Sequence, residues 1–194
     1  MCSSDLTGTH FDAPNHWVTG RDKGDVASVA VERLIAPAVV VDMSARAADD
    51  PDFLLEISDL EAWQQQHGPL PAGGWLLYRT GWDAHSASQE DFLNADETGP
   101  HTPGISAACA RWIAEESLVI GVGTETVGTD AGAAHSFDPA FPCHSYLMGN
   151  GKYGLTQLQN VARLPLTGAV VIAAPLPIVA GSGSPARVLA LVER

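Results

Sequence analysis

Five short runs of apolar residues divide the chain, and they constrain its fold more than any other feature of the sequence. Each run is five or six residues long, a length that favours buried strands over helices. The runs are Ala38–Met43, Trp75–Arg79, Leu118–Gly123, Ala169–Ala174 and Val188–Val192. None of them approaches the length that a membrane-spanning helix needs.

Helix signals lie between these runs. Ser58 opens a capping-box pattern, which predicts a helix that ends at His67, where Gly and Pro follow. Ser106 is predicted to cap a helix that continues to about Glu116. Thr156 begins a second capping-box pattern and is therefore predicted to start a helical turn. Strands interleaved with helices indicate one α/β or α+β domain over residues 1–194.

Composition excludes some classes of partner. The chain has 194 residues, of which 45% are hydrophobic and 17% charged, as is typical of a globular domain. Its formal net charge is −13, which argues against nucleic acid and anionic membranes as partners because phosphates attract basic proteins. Three cysteines, Cys2, Cys109 and Cys143, share no paired spacing. We expect reduced thiols and a cytoplasmic location.

The segment Thr7–Trp17 contains the most concentrated chemistry in the sequence. In an extended strand, His10 and Asp12 are two residues apart and point to the same side. An imidazole nitrogen and a carboxylate oxygen that converge in this way form half of a divalent-metal site. His16 follows Pro14, which restricts the backbone and places His16 beside a metal rather than on it. The alternative is a polar turn whose histidines bind backbone groups.

This segment resembles the signature of the cyclase-type metal-dependent hydrolases, a family that includes bacterial kynurenine formamidases and isatin hydrolases. The family pattern is His-x-Gly-Thr-His-x-Asp-x-Pro-x-His, and the chain matches every fixed position from Gly8 to His16. The first histidine of the pattern is replaced by Leu6. Further resemblance extends to the C-terminus through Arg79–Trp82, Pro103–Ser106, Pro142–His144 and Ser182–Arg187.

The resemblance implies a swivelling β/β/α fold, with central sheets flanked by helices, and a homodimer or homotetramer. It also implies that His10 and Asp12 bind a divalent metal, either manganese or zinc. The metal would lower the pKa of its bound water to about 7 and so supply a nucleophile for amide hydrolysis. His16 would act as the general acid/base, because the pKa of a free imidazole lies close to neutral pH.

A second metal is in doubt. His144 stands where two-metal members of the family have a further histidine, but Thr156 replaces the expected glutamate. Threonine is a poor ligand for zinc or manganese. We therefore expect one metal, with His144 and Gln157 orienting water or substrate.

An aromatic or heterocyclic substrate needs a pocket lined with aromatic side chains. The candidates are Trp17, Trp82, His101 and Phe137. The alternatives are core packing for the aromatic side chains and an exposed loop for His101. The implied reaction opens a carbon–nitrogen bond in a small amide or lactam, such as an arylformamide or an isatin-like ring. A lactone or cyclic ester is the second candidate substrate, and a degenerate binding protein without catalysis is the third reading.

The first six residues, Met1–Leu6, have no basic region and are too short for a signal peptide. They can be encoded by the end of a common sequencing adapter, read from a GTG start codon. We therefore expect a non-native leader fused to a hydrolase domain whose N-terminal part is missing, with room for a native histidine at position 6. With only two ligands, this chain should bind metal weakly and have little activity.

Overall fold

The computed structural model describes residues 6–193, and these residues form a closed β-barrel with helices on one side. The described strands are His10–Asp12 (β1), Ile35–Asp42 (β2), Leu54–Leu55 (β3), Trp75–Arg79 (β4), Ala95–Asp96 (β5), Gly99–Pro100 (β6), Gly104–Ile105 (β7), Gly121–Thr124 (β8), Tyr153–Thr156 (β9), Ala169–Pro175 (β10) and Gly183–Leu191 (β11). The α-helices are Ser44–Asp49 (α1), Ile57–His67 (α2), Gln89–Leu93 (α3) and Ala107–Glu115 (α4). The segment His144–Met148 is a π-helix, and short 3₁₀ turns connect many of the other elements.

Seven strands close the barrel in the order β1-β11-β10-β2-β4-β8-β9. Neighbouring strands are parallel along β2-β4-β8-β9. Every pair in the barrel that includes β10, β11 or β1 is antiparallel. The pairs β3–β7 and β5–β6 form two small separate sheets. The prediction of an α/β domain with central strands and flanking helices is confirmed.

The parallel strands are buried on both faces, which explains their unbroken apolar runs. Val40 and Leu77 face the barrel interior, where they join Phe11 and Trp75 in one core cluster. Alternate residues on the other face of these strands, including Leu76, form a second cluster with α2 and α4. The helices therefore cover the outer face of the parallel half of the barrel.

Two predicted helix starts are wrong. The helix α2 begins two residues earlier than predicted, because Glu56 rather than Ser58 is its N-cap and forms a reciprocal capping box with Asp59. Thr156 is the last residue of β9 and is fully buried, so it does not cap a helical turn. The cap predicted at Ser106 is confirmed, because its hydroxyl accepts a hydrogen bond from the amide of Cys109.

Within residues 6–193, no helix combines the length and apolar character needed to cross a membrane. Residues 1–5, on which most of the leader hypothesis rests, lie outside the described part of the chain.

Candidate metal centre

The polar side chains of the Thr7–Trp17 segment lie where several barrel strands end. The parallel register pairs Tyr78 with Thr124 and Gly123 with Leu155, so β4, β8 and β9 all terminate at one edge of the sheet. Because β1 runs antiparallel to β9, its first residue, His10, lies opposite Thr156 at that same edge. Ligands of α/β proteins are commonly bound outside the carboxyl ends of parallel strands.

Strand β1 places His10 and Asp12 on the same side, as predicted from their spacing. The Nε2 atom of His10 lies 3.5 Å from Oδ1 of Asp12. Phe11, between them, points the opposite way and is fully buried in the barrel core. The core contact of Phe11 therefore fixes the direction in which both polar side chains project.

The backbone of Gly8 orients the His10 ring. Gly8 has φ of +66°, a left-handed conformation that glycine adopts without steric cost. Its carbonyl oxygen lies 2.7 Å from Nδ1 of His10, so Nδ1–H donates to that oxygen. This hydrogen bond leaves Nε2 as the unprotonated ring nitrogen, which is the arrangement usual for a metal-ligating histidine. The hydroxyl of Thr156 lies 3.0 Å from the same Nε2 atom.

His16 reaches the site from the 3₁₀ turn Pro14–His16, in which Pro14 occupies the first position. The Nδ1 atom of His16 lies 3.9 Å from Oδ1 of Asp12, and both atoms are buried without a hydrogen-bond partner. Burial lowers the pKa of His16, and the Asp12 carboxylate opposes that shift only in part. His16 is therefore neutral at neutral pH, with a nitrogen aimed at an unpaired carboxylate oxygen.

His144 begins the π-helix and is held by Asp130. The Asp130 carboxylate accepts hydrogen bonds from the backbone amides of Cys143, at 2.7 Å, and His144, at 3.1 Å. It also accepts from Nδ1 of the His144 ring. Burial opposes the charged imidazole, but the Asp130 hydrogen bond and charge prevail and raise the pKa of His144. Because Nδ1 is occupied, Nε2 is the ring atom left for a ligand.

Asp12, His16 and His144 converge closely enough to bind one metal ion. One ligand atom from each of these residues lies within 4.8 Å of the other two. The histidine rings of His16 and His144 have centroids 5.3 Å apart. Buried polar atoms normally have hydrogen-bond partners, but Oδ1 of Asp12 and Nδ1 of His16 have none. A divalent cation bound between them would supply the missing partner. The sequence had placed His144 only near such a site.

Aromatic side chains border this cluster. Trp17 packs against the His144 ring, with centroids 4.8 Å apart, and against Phe141 at 5.5 Å. Its indole N–H donates to the hydroxyl of Ser145. Phe141 has φ of +53°, which is an outlier for a bulky residue and marks a locally strained backbone. Phe141 was not among the predicted pocket residues, because no sequence pattern indicates that conformation.

The other predicted pocket residues have different surroundings. Trp82 is buried in the loop after β4, where its indole N–H donates to the carbonyl of Phe92. The ring nitrogens of His101 lie 2.7 Å from Asp52 and 3.1 Å from Asp96, which makes this histidine part of a surface ion-pair group. These contacts are with residues outside the metal cluster, and the place of Trp82 and His101 in a substrate pocket stays a prediction.

The roles predicted for Gln157 and Phe137 in the site stay predictions. Gln157 follows Thr156 in a left-handed conformation, with φ of +55°. Its backbone amide donates to the carbonyl of Thr126, and its own carbonyl accepts from Thr9. Phe137 is half-buried directly after the 3₁₀ turn Gly132–Ser136.

The surroundings of Cys143, which stands beside His144, do not support a role as a reactive thiol. Cys143 is completely buried, and this burial raises the pKa of its thiol well above the usual value. A buried, protonated thiol is a poor nucleophile. Cys109 and Cys143 are both free within the described chain.

The chain belongs to the family described as "Putative cyclase", whose sequence model matches residues 1–131. The family resemblance predicted from Gly8–His16 is confirmed. A curated relative, isatin hydrolase of Roseibium aggregatum, is 46% identical over 196 residues, which span 100% of this chain and 74% of the relative.

Solved structures show the same likeness. The crystal structure of an isatin hydrolase bound to the product analogue thioisatinate is 46% identical, with a TM-score of 0.95 over 98% of this chain and 73% of the other. Isatin hydrolase A from Ralstonia solanacearum is 49% identical, with a TM-score of 0.95 over 97% of this chain and 73% of the other. The cyclase-type fold predicted from the sequence is thereby confirmed.

Proposed function

We propose that this protein is a metal-dependent hydrolase that opens a carbon–nitrogen bond in a small cyclic amide of the isatin type. The observation that supports it most directly is the convergence of Asp12, His16 and His144, with buried and unpaired atoms on Asp12 and His16. The similarity to isatin hydrolases, which extends over almost all of this chain and about three quarters of those relatives, supports the choice of substrate class.

One divalent metal, manganese or zinc, would be held by Asp12 together with histidine nitrogens. When bound, such an ion lowers the pKa of water and polarises a carbonyl oxygen. We propose His10 as a ligand through Nε2, because its Nδ1–H is already bound by Gly8. His144 is a further candidate ligand, and Asp130 orients it in the way that carboxylates orient metal-bound histidines.

His16 is proposed to transfer protons between water and the departing nitrogen. Its lowered pKa keeps the ring neutral at neutral pH, so it can accept a proton before it donates one. The short distance from Nδ1 to Asp12 is also consistent with His16 serving as a third metal ligand. The two roles are separable: His16→Gln should retain metal binding if His16 moves protons, and lose it if His16 is a ligand.

Trp17 and Phe141 are proposed to position the planar ring of the substrate beside the metal cluster. The Trp17 ring lies within stacking distance of both Phe141 and the His144 ring. An aromatic wall also excludes water from the reacting amide, which strengthens the electrostatic interactions of the site.

The test is hydrolysis by purified protein loaded with Mn²⁺ or Zn²⁺, assayed on isatin, an N-formylated aniline and an aromatic lactone. We expect the cyclic amide to be the preferred substrate and activity to disappear on chelation. Full activity without metal would exclude the mechanism, and a preference for the lactone would favour ester hydrolysis. We also propose a cytoplasmic homo-oligomer, which sedimentation and cell fractionation would test.

Degeneration to a binding protein is the second candidate function. It is favoured by the apolar side chain of Leu6 at a ligand position and by Thr156, whose hydroxyl contacts the His10 ring. If this reading is correct, the metal-loaded protein should bind isatin or its ring-opened product without turnover.

A further inference from the structure

A cleft of about 680 Å³ opens between strand β11 and the segment that follows β9, away from the metal cluster. Its floor is apolar and is formed by Leu77, Val161, Leu164, Val171 and Val188. The volume lies in the range of pockets that bind small molecules.

This cleft and the metal cluster lie on different faces of the chain around β1. Thr9 lines the cleft, and its hydroxyl donates to the carbonyl of Gln157 at 2.6 Å. His10, the next residue, points toward Asp12 instead. None of Asp12, His16 and His144 lines the cleft, so among the described residues the cleft is a cavity separate from the metal cluster.

The charge of the cleft differs from that of the whole protein. The chain has 23 acidic and 10 basic residues, yet among residues 6–193 the charged residues that line the cleft are Arg163 and Arg187 alone. Both are exposed, and neither takes part in an ion pair among residues 6–193. Two unpaired guanidinium groups therefore stand above an apolar floor.

Hydrogen bonds hold the backbone of the wall that carries part of this lining. Gln157 and Asn160 have φ of +55° and +63°, in the left-handed region that is uncommon for residues other than glycine. The Gln157 amide donates to the carbonyl of Thr126, and the Asn160 amide donates to a carboxylate oxygen of Asp83. A preorganised wall loses little conformational entropy when a ligand binds.

We propose that this cleft binds a small organic carboxylate with an aromatic or branched apolar body. Arg163 and Arg187 would bind the carboxylate, because guanidinium groups match its geometry with two parallel hydrogen bonds. The apolar floor would bury the body of the ligand. Inorganic phosphate matches the arginines but not the floor, so the carboxylate is favoured. The proposal does not depend on the proposed hydrolase activity.

The test is a titration of the full chain with benzoate, followed by NMR or calorimetry after treatment with a chelator to remove metal. We expect saturable binding, and binding about tenfold weaker for the neutral analogue benzamide, which lacks the charge. Binding should also weaken as salt is raised, because the arginines are exposed and their charge is screened.

Three variants refine the test. The double variant Arg163→Gln/Arg187→Gln should weaken benzoate binding about tenfold, whereas Arg111→Gln, an exposed arginine on α4, should leave it unchanged. Ala190→Trp, at an exposed cleft position on β11, should block binding by filling the cavity. Circular dichroism would establish that each variant is folded.

Several outcomes would overturn the proposal. Equal affinity for benzoate and benzamide would remove the role of charge, and equal affinity for phosphate and benzoate would remove the role of the floor. Unchanged binding in the double arginine variant would place the carboxylate elsewhere. A second copy of the chain would be shown to cover the cleft if the unmodified chain does not bind benzoate and Ala190→Trp dissociates an oligomer.

Discussion

Replacing Asp130 by asparagine tests whether this residue acts through His144. The substitution preserves shape but removes the negative charge and one of two acceptor oxygens. In the native chain, one oxygen of Asp130 accepts from the Cys143 amide, and the other accepts from both the amide and the ring of His144. Asparagine has one acceptor oxygen, so in either orientation its NH₂ group faces a buried N–H donor.

The expected magnitude follows from these contacts. Loss of the carboxylate behind a metal-ligating histidine typically costs 10–100-fold in metal affinity, or about 1.4 to 2.7 kcal/mol. Each buried donor left unpaired costs about 1–3 kcal/mol. We therefore expect Asp130→Asn to weaken Mn²⁺ binding about 10- to 100-fold and to lower the free energy of unfolding of the metal-free protein by about 1–3 kcal/mol.

Calorimetry or electron paramagnetic resonance would give the Mn²⁺ dissociation constant, and urea denaturation with a chelator would give the stability. Asp49→Asn is the matched control, since Asp49 is exposed at the end of α1. In a double-mutant cycle with His144→Ala, the losses of metal affinity should be strongly non-additive. Unchanged metal affinity in Asp130→Asn, or additive losses, would refute the link between Asp130 and His144.

Three further predictions concern other parts of the chain. Leu6→His should tighten Mn²⁺ binding at least about tenfold by adding a further ligand near Asp12. The Leu6 side chain lies close to Gly183, the cross-strand partner of Asp12, since a Cβ added at Gly183 would be 2.7 Å from it. No gain of Mn²⁺ affinity in calorimetry would favour degeneration. Gly8→Ala should cost about 1 kcal/mol and disturb the His10 ring, whereas Gly8→Asn, which tolerates left-handed φ, should cost less in denaturant titrations. Burial lowers the pKa of Lys152 to about 8, so the unfolded chain binds more protons from about pH 8 to about pH 10.4. The stability of the wild type should therefore rise with pH relative to Lys152→Met across that window. A difference in urea midpoint between the two proteins that does not change with pH would contradict the lowered pKa.

The sequence predicted those strands of the barrel whose positions are determined by local patterns of apolar residues. The run at Ala38–Met43 is apolar because β2 is buried on both faces, and the same reasoning holds for Trp75–Arg79. Closure of the barrel was not predictable, because β1 pairs with β9 and β11 through only three residues each. The capping error at Ser58 arose because Glu56 is an unusual N-cap that no propensity favours.

For the metal centre, the sequence predicted the types of ligand residue and the spacing between two of them. His10 and Asp12 lie together because a strand repeats every two residues. The partnership of Asp130 with His144 depends on a loop whose path has no local signature. Thr156 was wrongly predicted to cap a helix. A threonine that ends a buried strand and a threonine that caps a helix can be followed by the same residues, so the sequence does not distinguish them.

The pairing of β1 sets the order in which the site can be assembled. His10 contacts Thr156, which lies 146 residues further along the chain, and β1 also pairs with β11 near the C-terminus. Contacts of such long range form late because loop closure must come first. During synthesis, His10 can contact Thr156 only after 146 further residues have been added to the chain. Metal binding therefore reports completion of the fold rather than its onset.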